Sequence, residues 1–408
     1  MMNSKKIGLL LSDEDDWPVA FEQLHRRFSE RSAGRAGLPA STVERIRIHP
    51  FNLAAPTSYD LVIDRLAWWH NHAREWLKKA ALVNGVTLLN NPFTFQSMEK
   101  HSAYSAMIRL GLPIPETWLI PFKTGPDTDK FRRTAGRYHD WFDLPGLAEQ
   151  IGYPLYMKPF DGGGWRGVSR IGNVGDLMAA YDASGATMMH LQRGLENFDI
   201  FVRALAIGPQ VNIFHYDPAR PMHERYQVDS NFLSAEHVRE ATAVVKTINA
   251  FFHWEFNSCE SILKNGVLQP IDFANACPDV ALISLHYYFP WAIKSLLAWS
   301  LFSLASERRI SLDLNTADYF AVADSDRSYH EKLAAYEALA DAYFDTARFE
   351  EFRATELADL DAVMWELAQT QEFDDMLVHN VRITFPAHEQ DAFIAHFRGL
   401  LRAWVMEQ

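Results

Sequence analysis

Along the first ninety residues the spacing of apolar positions changes repeatedly. Lys6 to Leu11 is a short apolar run bounded by charge and reads as a buried strand. From Asp16 to about Phe28 apolar residues return every three or four positions. Pro18 stands in the first turn, so this segment predicts an amphipathic helix. Val43 to Ile48 and Tyr59 to Ile63 read as strands, Trp68 to Leu82 as a helix and Val86 to Leu89 as a fourth strand. Strand alternating with helix predicts a parallel, Rossmann-like α/β domain. Gly8 is the only glycine near the first strand, and no Gly-x-Gly-x-x-Gly follows it, which disfavours a dinucleotide site. His70 and His72 fall on different sides of the helix and are read as surface residues, not a metal pair.

Asn90-Asn91-Pro92 breaks the chain. Phe95 to Leu110 is helical and ends at Gly111-Leu112-Pro113-Ile114-Pro115. Lys123 to Arg137 is polar throughout and reads as a surface loop, followed by a short helix from Leu144 to Ile151. Strands are expected at Leu155 to Lys158, Gly167 to Ile171, Met188 to Gln192 and Ile200 to Ile207, with a helix from Asp176 to Tyr181. Ser234 caps an amphipathic helix from Ala235 to Phe252. From Leu282 onward the pattern is helical, with helices over Tyr329 to Asp345, Phe349 to Thr370 and Gln390 to Met406. The apolar stretch Val280 to Ala305 contains His286, Pro290 and Lys294 and reads as a buried helix rather than a membrane span. These breaks divide the chain into residues 1–92, 93–280 and a helical C-terminal region, 281–408.

Composition narrows the function classes. At 408 residues the chain exceeds one ordinary core. A net charge of −13 argues against tracking a nucleic-acid backbone, while leaving room for a local basic pocket. Cys259 and Cys277 are the only cysteines and form no Cys-x-x-Cys pair, so neither a zinc knuckle nor a disulfide framework is expected. The apolar run after Lys5-Lys6 is shorter than a signal-peptide core, and the expected location is cytoplasmic, without a membrane role.

Three segments carry chemistry. In Tyr156-Met157-Lys158-Pro159-Phe160-Asp161-Gly162-Gly163-Gly164-Trp165-Arg166-Gly167-Val168 a strand ends in a lysine and enters a glycine-rich loop. Missing Cβ atoms let backbone N–H groups approach phosphate oxygens, and the lysine supplies a point charge. In Gln192-Arg193-Gly194-Leu195 a strand leaves through a short linker whose backbone could bond an adenine edge. Asp199 follows at the next strand, where it could accept from ribose hydroxyls. In the third segment Asn265-Gly266 marks a hairpin. A two-residue loop there would place Glu260 and Asp272 on opposite faces. A three-residue loop, Lys264 to Gly266 with Gly266 in a bulge, would place them on one face. The bulged register is the expected one, because paired carboxylates with the amide of Asn275 suit Mg²⁺.

In this order, Lys100, the Gly111 to Thr117 segment, Lys158-Pro159 with its glycine-rich loop, the linker, and Asp272, Asn275 and Pro278 resemble the ATP-grasp superfamily, which includes D-alanine–D-alanine ligase, glutathione synthetase and the ribosomal-protein glutamate ligase. The resemblance covers roughly residues 90 to 280. It implies a two-lobed ATP-grasp core behind a Rossmann-like first domain, and an ATP-dependent ligase that joins a carboxylate to an amine through an acyl phosphate. It also implies small-molecule carboxylate and amine substrates, and ATP with Mg²⁺, two ions being expected. By the same resemblance Lys100 and Lys158 hold phosphates and Asp161, Gly162, Gly163, Gly164 and Trp165 cover them. Gln192, Arg193, Gly194 and Leu195 line adenine, Asp199 holds ribose, and Glu260, Asp272 and Asn275 bind the metal. The pattern departs from the family at three points. Gln192 stands where glutamate is common, and Asp272-Phe273-Ala274-Asn275 is one residue longer than Glu-x-Asn. Ser258 stands two residues before the first metal acid, where relatives carry arginine, so Arg203 and Arg225 become the candidates for the acyl phosphate. A kinase and an inactive nucleotide-binding regulator are the alternatives. The helical tail is open as a lid, a homodimer interface or a specificity domain.

Overall fold

The computed structural model describes residues 4–95, 100–138, 142–161 and 166–408. The chain packs as two units, both discontinuous in sequence. The first comprises Met1–Phe95, Arg203–Ser258 and Ala276–Gln408, and the second Gln96–Val202 and Cys259–Asn275. A linear division at residues 92 and 280 does not express this interleaving.

In the first unit, strands β1 (Lys5–Leu10), β2 (Ser41–Arg45), β3 (Leu61–Asp64) and β4 (Thr87–Leu89) form a parallel sheet in the order β2-β1-β3-β4. Leu61, Val62 and Ile63 are all buried, as a strand covered on both faces requires. Helix Trp17–Arg31 starts where expected, with the Asp16 carboxylate accepting from Trp17 N. The second helix, Asn71–Asn84, starts later than Trp68 because the His70 ring serves as its cap, accepting from Ala73 N.

The expected long helix from Phe349 to Thr370 is broken into Thr346–Thr355 and Leu360–Leu367. At the break Arg35 donates to the Glu356 carbonyl at 2.6 Å, and Leu360 N bonds Leu357 O instead of Glu356 O. The carbonyl that leaves the helix ladder is thus satisfied by a distant side chain. The apolar stretch from Val280 resolves into a turn at Leu282–Leu285 and a helix at Phe289–Ala305 with Pro290 in its first turn. No described helix is long and apolar enough to cross a membrane.

In the second unit, β5 (Thr117–Ile120), β6 (Leu155–Pro159), β7 (Ser169–Ile171) and β8 (Met189–Arg193) form an antiparallel sheet in the order β5-β8-β6-β7. The segment read as a loop, Lys123 to Arg137, contains helix Asp129–Tyr138. Thr128 caps it by accepting from Phe131 N, and Phe131 packs on Phe122 with ring centroids 5.5 Å apart. One aromatic anchor on an otherwise charged helix leaves no apolar stripe to detect.

Strands β9 (Ile200–Ile207), β10 (Gln210–Tyr216), β11 (Tyr226–Gln227), β12 (Phe256–Lys264) and β13 (Val267–Ala276) form the third sheet, ordered β11-β10-β9-β12-β13. Strand β10 is absent from the sequence-based assignment. Gly208, at φ 56°, turns the chain between β9 and β10.

Candidate functional site

The β6/β8 register builds one polar face in the second unit. Lys158 pairs directly with His190, and Tyr156 with Gln192. On the other side of β8, Thr117 pairs with Gln192 and Leu119 with His190. Paired residues share a face and alternate residues oppose it. The opposite face is therefore Leu155, Met157, Met189 and Leu191, which enter a closed core with Ile120, Leu144, Ala148, Ile151 and Leu177. Burying those aliphatic positions fixes the register, and the register gathers Lys158, His190, Gln192 and Thr117.

Helix His101–Arg109 contributes to this site from its first turn. Tyr104 places its ring 5.5 Å from that of His190 and 5.1 Å from that of Phe273, and its hydroxyl donates to Ile271 O at 2.7 Å. Lys100 immediately precedes the helix at φ 57°, a conformation that a side chain with Cβ adopts at a cost. Its ammonium donates to both Asp272 oxygens, at 2.9 and 2.8 Å. The Lys158 ammonium donates to Gln192 Oε1 at 2.8 Å and to Ile271 O at 3.4 Å, while Gln192 Nε2 donates to Thr117 Oγ1 at 2.8 Å. The Gln192 carboxamide thus orients a lysine through its side chain, a use different from the expected contact with adenine.

Burial dominates the electrostatics of this cluster. Burial pushes the Lys158 pKa down to about 8; Lys100 adds to the effect, while Asp272 and Glu260 oppose it. Burial pushes His190 down to about 3, reinforced by Lys100, Lys158 and His101. Among the described residues neither ring nitrogen of His190 has a hydrogen-bond partner. Tyr104 is raised well above its usual value by burial and then by Asp272.

The hairpin corrects the expected loop. Asn265 and Gly266 have φ 52° and 74°, and the strands end at Lys264 and begin at Val267, so the turn has two residues, not three. Such a turn pairs Lys264 with Val267. Eight residues on, an uninterrupted ladder would pair Phe256 with Asn275, yet Cys277 N is the group that donates to Phe256 O, at 3.0 Å. The register therefore shifts along β13. Both Glu260 and Asp272 act on the charge of Lys158. Gly266 does take positive φ, for the reason that a two-residue hairpin turn demands it.

The remaining candidates are dispersed. Gln192 and Arg193 end β8, and Gly194 and Leu195 follow. Gly194 N donates to Pro154 O at 2.9 Å, and a Cβ on Gly194 would lie 2.6 Å from that oxygen, so only glycine fits. Arg193 pairs with Glu116 at 2.6 Å. Asp199 is exposed and accepts from Asn265 N at 3.0 Å, which ties it to the hairpin turn. Asp161 is exposed beyond β6, and Gly162, Gly163, Gly164 and Trp165 lie outside the described residues. In the first unit, Arg203 lies on the rings of Tyr216 and Tyr226 at 5.1 and 5.6 Å and donates to Ser258 Oγ at 3.3 Å. Arg225 donates to Arg220 O beside a short surface turn.

Among the described residues, no group of three or more His, Cys, Asp and Glu side chains is placed to hold a metal. Two carboxylates, Glu260 and Asp272, and the amide of Asn275, whose nitrogen donates to Asp272 O at 3.4 Å, are the oxygen donors. Mg²⁺ commonly takes one or two carboxylates and completes its shell with phosphate oxygens and water. The donor set therefore fits a cation that arrives with a nucleotide rather than a resident ion. His190, Tyr104 and Thr117 escaped the sequence reading. The available signal was the Met189-His190-Leu191-Gln192 alternation, which sets two polar residues on the face opposite two core residues.

No family model matches the chain, and no curated protein matches it in sequence. Solved structures do. D-alanine–D-alanine ligase from Bacillus anthracis complexed with ATP aligns at TM-score 0.51 and 12% identity, over 74% of this chain and 98% of that one. The same enzyme in a second structure gives 0.50 and 12%, over 74% and 99%. The RimK domain ATP-grasp protein from Sphaerobacter thermophilus gives 0.46 and 14%, over 67% and 92%. The chain has the ATP-grasp fold.

Proposed function

We propose that this protein is an ATP-dependent ligase that joins a carboxylate to an amine through an acyl phosphate. The observation that carries the proposal is the convergence of Lys100 and Lys158 with Asp272 on one polar face of an ATP-grasp fold. A carboxylate is a poor electrophile. Transfer of a γ-phosphoryl group turns it into an acyl phosphate, which an amine then attacks. The protein's share of that chemistry is positioning and charge neutralisation.

In this proposal Lys158 is aligned by Gln192 and Thr117, and its partial burial strengthens each contact it makes with phosphate. Lys100 holds Asp272 until nucleotide arrives, then shares its charge with the phosphates. Glu260, Asp272 and Asn275 are the groups that would hold Mg²⁺, which when bound neutralises β- and γ-oxygens. Arg203 is preferred to Arg225 for the acyl phosphate. Its guanidinium reaches Ser258, the position two residues before Glu260 where relatives carry arginine, whereas Arg225 is held at a surface turn.

The test is substrate-dependent ADP release across a panel of amino acids and small carboxylates, with mass spectrometry of the products. An amide accompanied by free phosphate supports the ligase. A stable phosphorylated small molecule, with no free phosphate for any amine tested, would establish a kinase instead.

A further inference from the structure

His190 is a buried imidazole without a hydrogen-bond partner among the described residues. The residue is 1% exposed and neither ring nitrogen is bonded there. Buried polar groups normally find partners, and an orphan in a native site calls for an explanation. Packing alone is a weak one here, because an aliphatic residue would fill the position without two unsatisfied nitrogens.

The surroundings state what kind of partner is missing. Lys158 pairs directly with His190 across the sheet. Tyr104 and His101 face it from the helix, with ring centroids at 5.5 and 6.4 Å. Lys100 and Lys158 are the ammonium groups that act on its charge, and Asp272 is the carboxylate that does so. Two ammonium groups beside an imidazole favour its neutral form. A neutral imidazole keeps one N–H donor and does not add a third positive charge to the pocket before ligand arrives. An anion drawn between the two lysines would reach that donor.

We infer that His190 is a phosphate-contacting residue, its ring N–H donating to an oxygen of the nucleotide's polyphosphate beside Lys158. The inference rests on the ATP-binding half of the proposed function and assigns a residue that the lysine pattern does not contain. It predicts a recognition element for the phosphate chain rather than for the base.

The test uses the full-length protein and three probes: ATP, inorganic tripolyphosphate and adenosine. In His190→Phe, ATP and tripolyphosphate should each bind about tenfold more weakly, the size of a lost hydrogen bond to a charged acceptor, and adenosine should bind as before. His190→Gln, which keeps an N–H donor, should recover most of the loss. If His190→Phe fails to fold, His190→Met, which is flexible and has no donor, takes its place beside His190→Gln. Weakened adenosine binding with tripolyphosphate unchanged would overturn the inference in favour of a base contact. Unchanged affinity for all three probes in a folded variant would reduce His190 to packing. Wild-type protein that binds none of the three would overturn the nucleotide reading itself, and this inference with it.

Discussion

Each unit buries a charged cluster, and the two clusters are completed in opposite ways. In the first unit Glu255 is 5% exposed and fully engaged. Arg308 donates to its Oε1 at 3.0 and 2.8 Å, Tyr343 to the same oxygen at 2.9 Å, and Trp299 to Oε2 at 2.9 Å. The guanidinium also lies over the rings of Trp299 and Tyr343. Burial would lower the Arg308 pKa, but Glu255 and Tyr343 outweigh it and the value rises. In the second unit burial wins: Lys158 falls to about 8, and His190 has no hydrogen-bond partner among the described residues. A cluster whose groups satisfy one another holds the fold together. In the proposed function the second cluster, with its partly neutralised lysine, would instead be completed by a phosphate from outside.

The widest separation between the clusters is in stability. Arg308→Ala should cost about 3–5 kcal/mol, because it strands Glu255 as an uncompensated buried charge. Urea denaturation would measure it, and ATP affinity measured on the folded variant should not change. A loss of only a few tenths of a kcal/mol would break the contrast.

Asp272→Asn tests the other cluster. Turnover should fall about a hundredfold or more, the size of losing one electrostatic contact made in the transition state. ATP affinity should change much less, since the lost charge acts mainly during transfer. A loss of ATP affinity with turnover at saturating ATP unchanged would mean that Asp272 serves ground-state binding alone.

Lys158→Ala should weaken ATP binding about tenfold or more by calorimetry, corresponding to about 1.5–3 kcal/mol for a charged hydrogen bond. The same lysine predicts two opposite pH slopes. Its folded pKa of about 8 lies below the ordinary 10.5. Between those values the unfolded chain holds a proton that the folded protein lacks, so this group's contribution to stability rises with pH through the window. Below pH 8 its penalty is fully present. Nucleotide affinity should run the other way and fall as pH passes 8, because the ammonium is lost. Lys158→Arg should flatten that fall, since arginine stays charged. An unchanged pH profile in Lys158→Arg would assign the slope to another group.

The smallest effect separates two roles for Asp199. As a hairpin tie through Asn265 N it should contribute about 0.5–1.5 kcal/mol to stability, and Asp199→Ala should lose that much. As a ribose acceptor it should also weaken ATP relative to tripolyphosphate. Stability loss with unchanged ATP affinity would leave only the turn.

Much of this molecule was legible in its local patterns. The parallel sheet follows from short apolar strands separated by amphipathic helices. The cap at Ser234 and the hairpin at Asn265-Gly266 follow from turn and cap chemistry, which acts within a few residues. The ordered lysines and acids pointed to an ATP-grasp fold because each belongs to a short motif. What stayed hidden depended on partners distant in sequence. Arg35 satisfies the Glu356 carbonyl at the break in a helix whose own pattern is continuous. One aromatic contact anchors the Asp129–Tyr138 helix without leaving a stripe.

Sequence alone thus determined the classes of element and supplied the basic and acidic residues from which the candidate site is argued. These depend on side-chain identity and local spacing. Only tertiary structure decided how those residues meet. It set the two-residue hairpin turn with its shifted ladder, turned the Gln192 side chain onto Lys158, and buried His190 beside two ammonium groups with no hydrogen-bond partner among the described residues. Register and burial are properties of paired strands, and no single strand carries them in its own sequence.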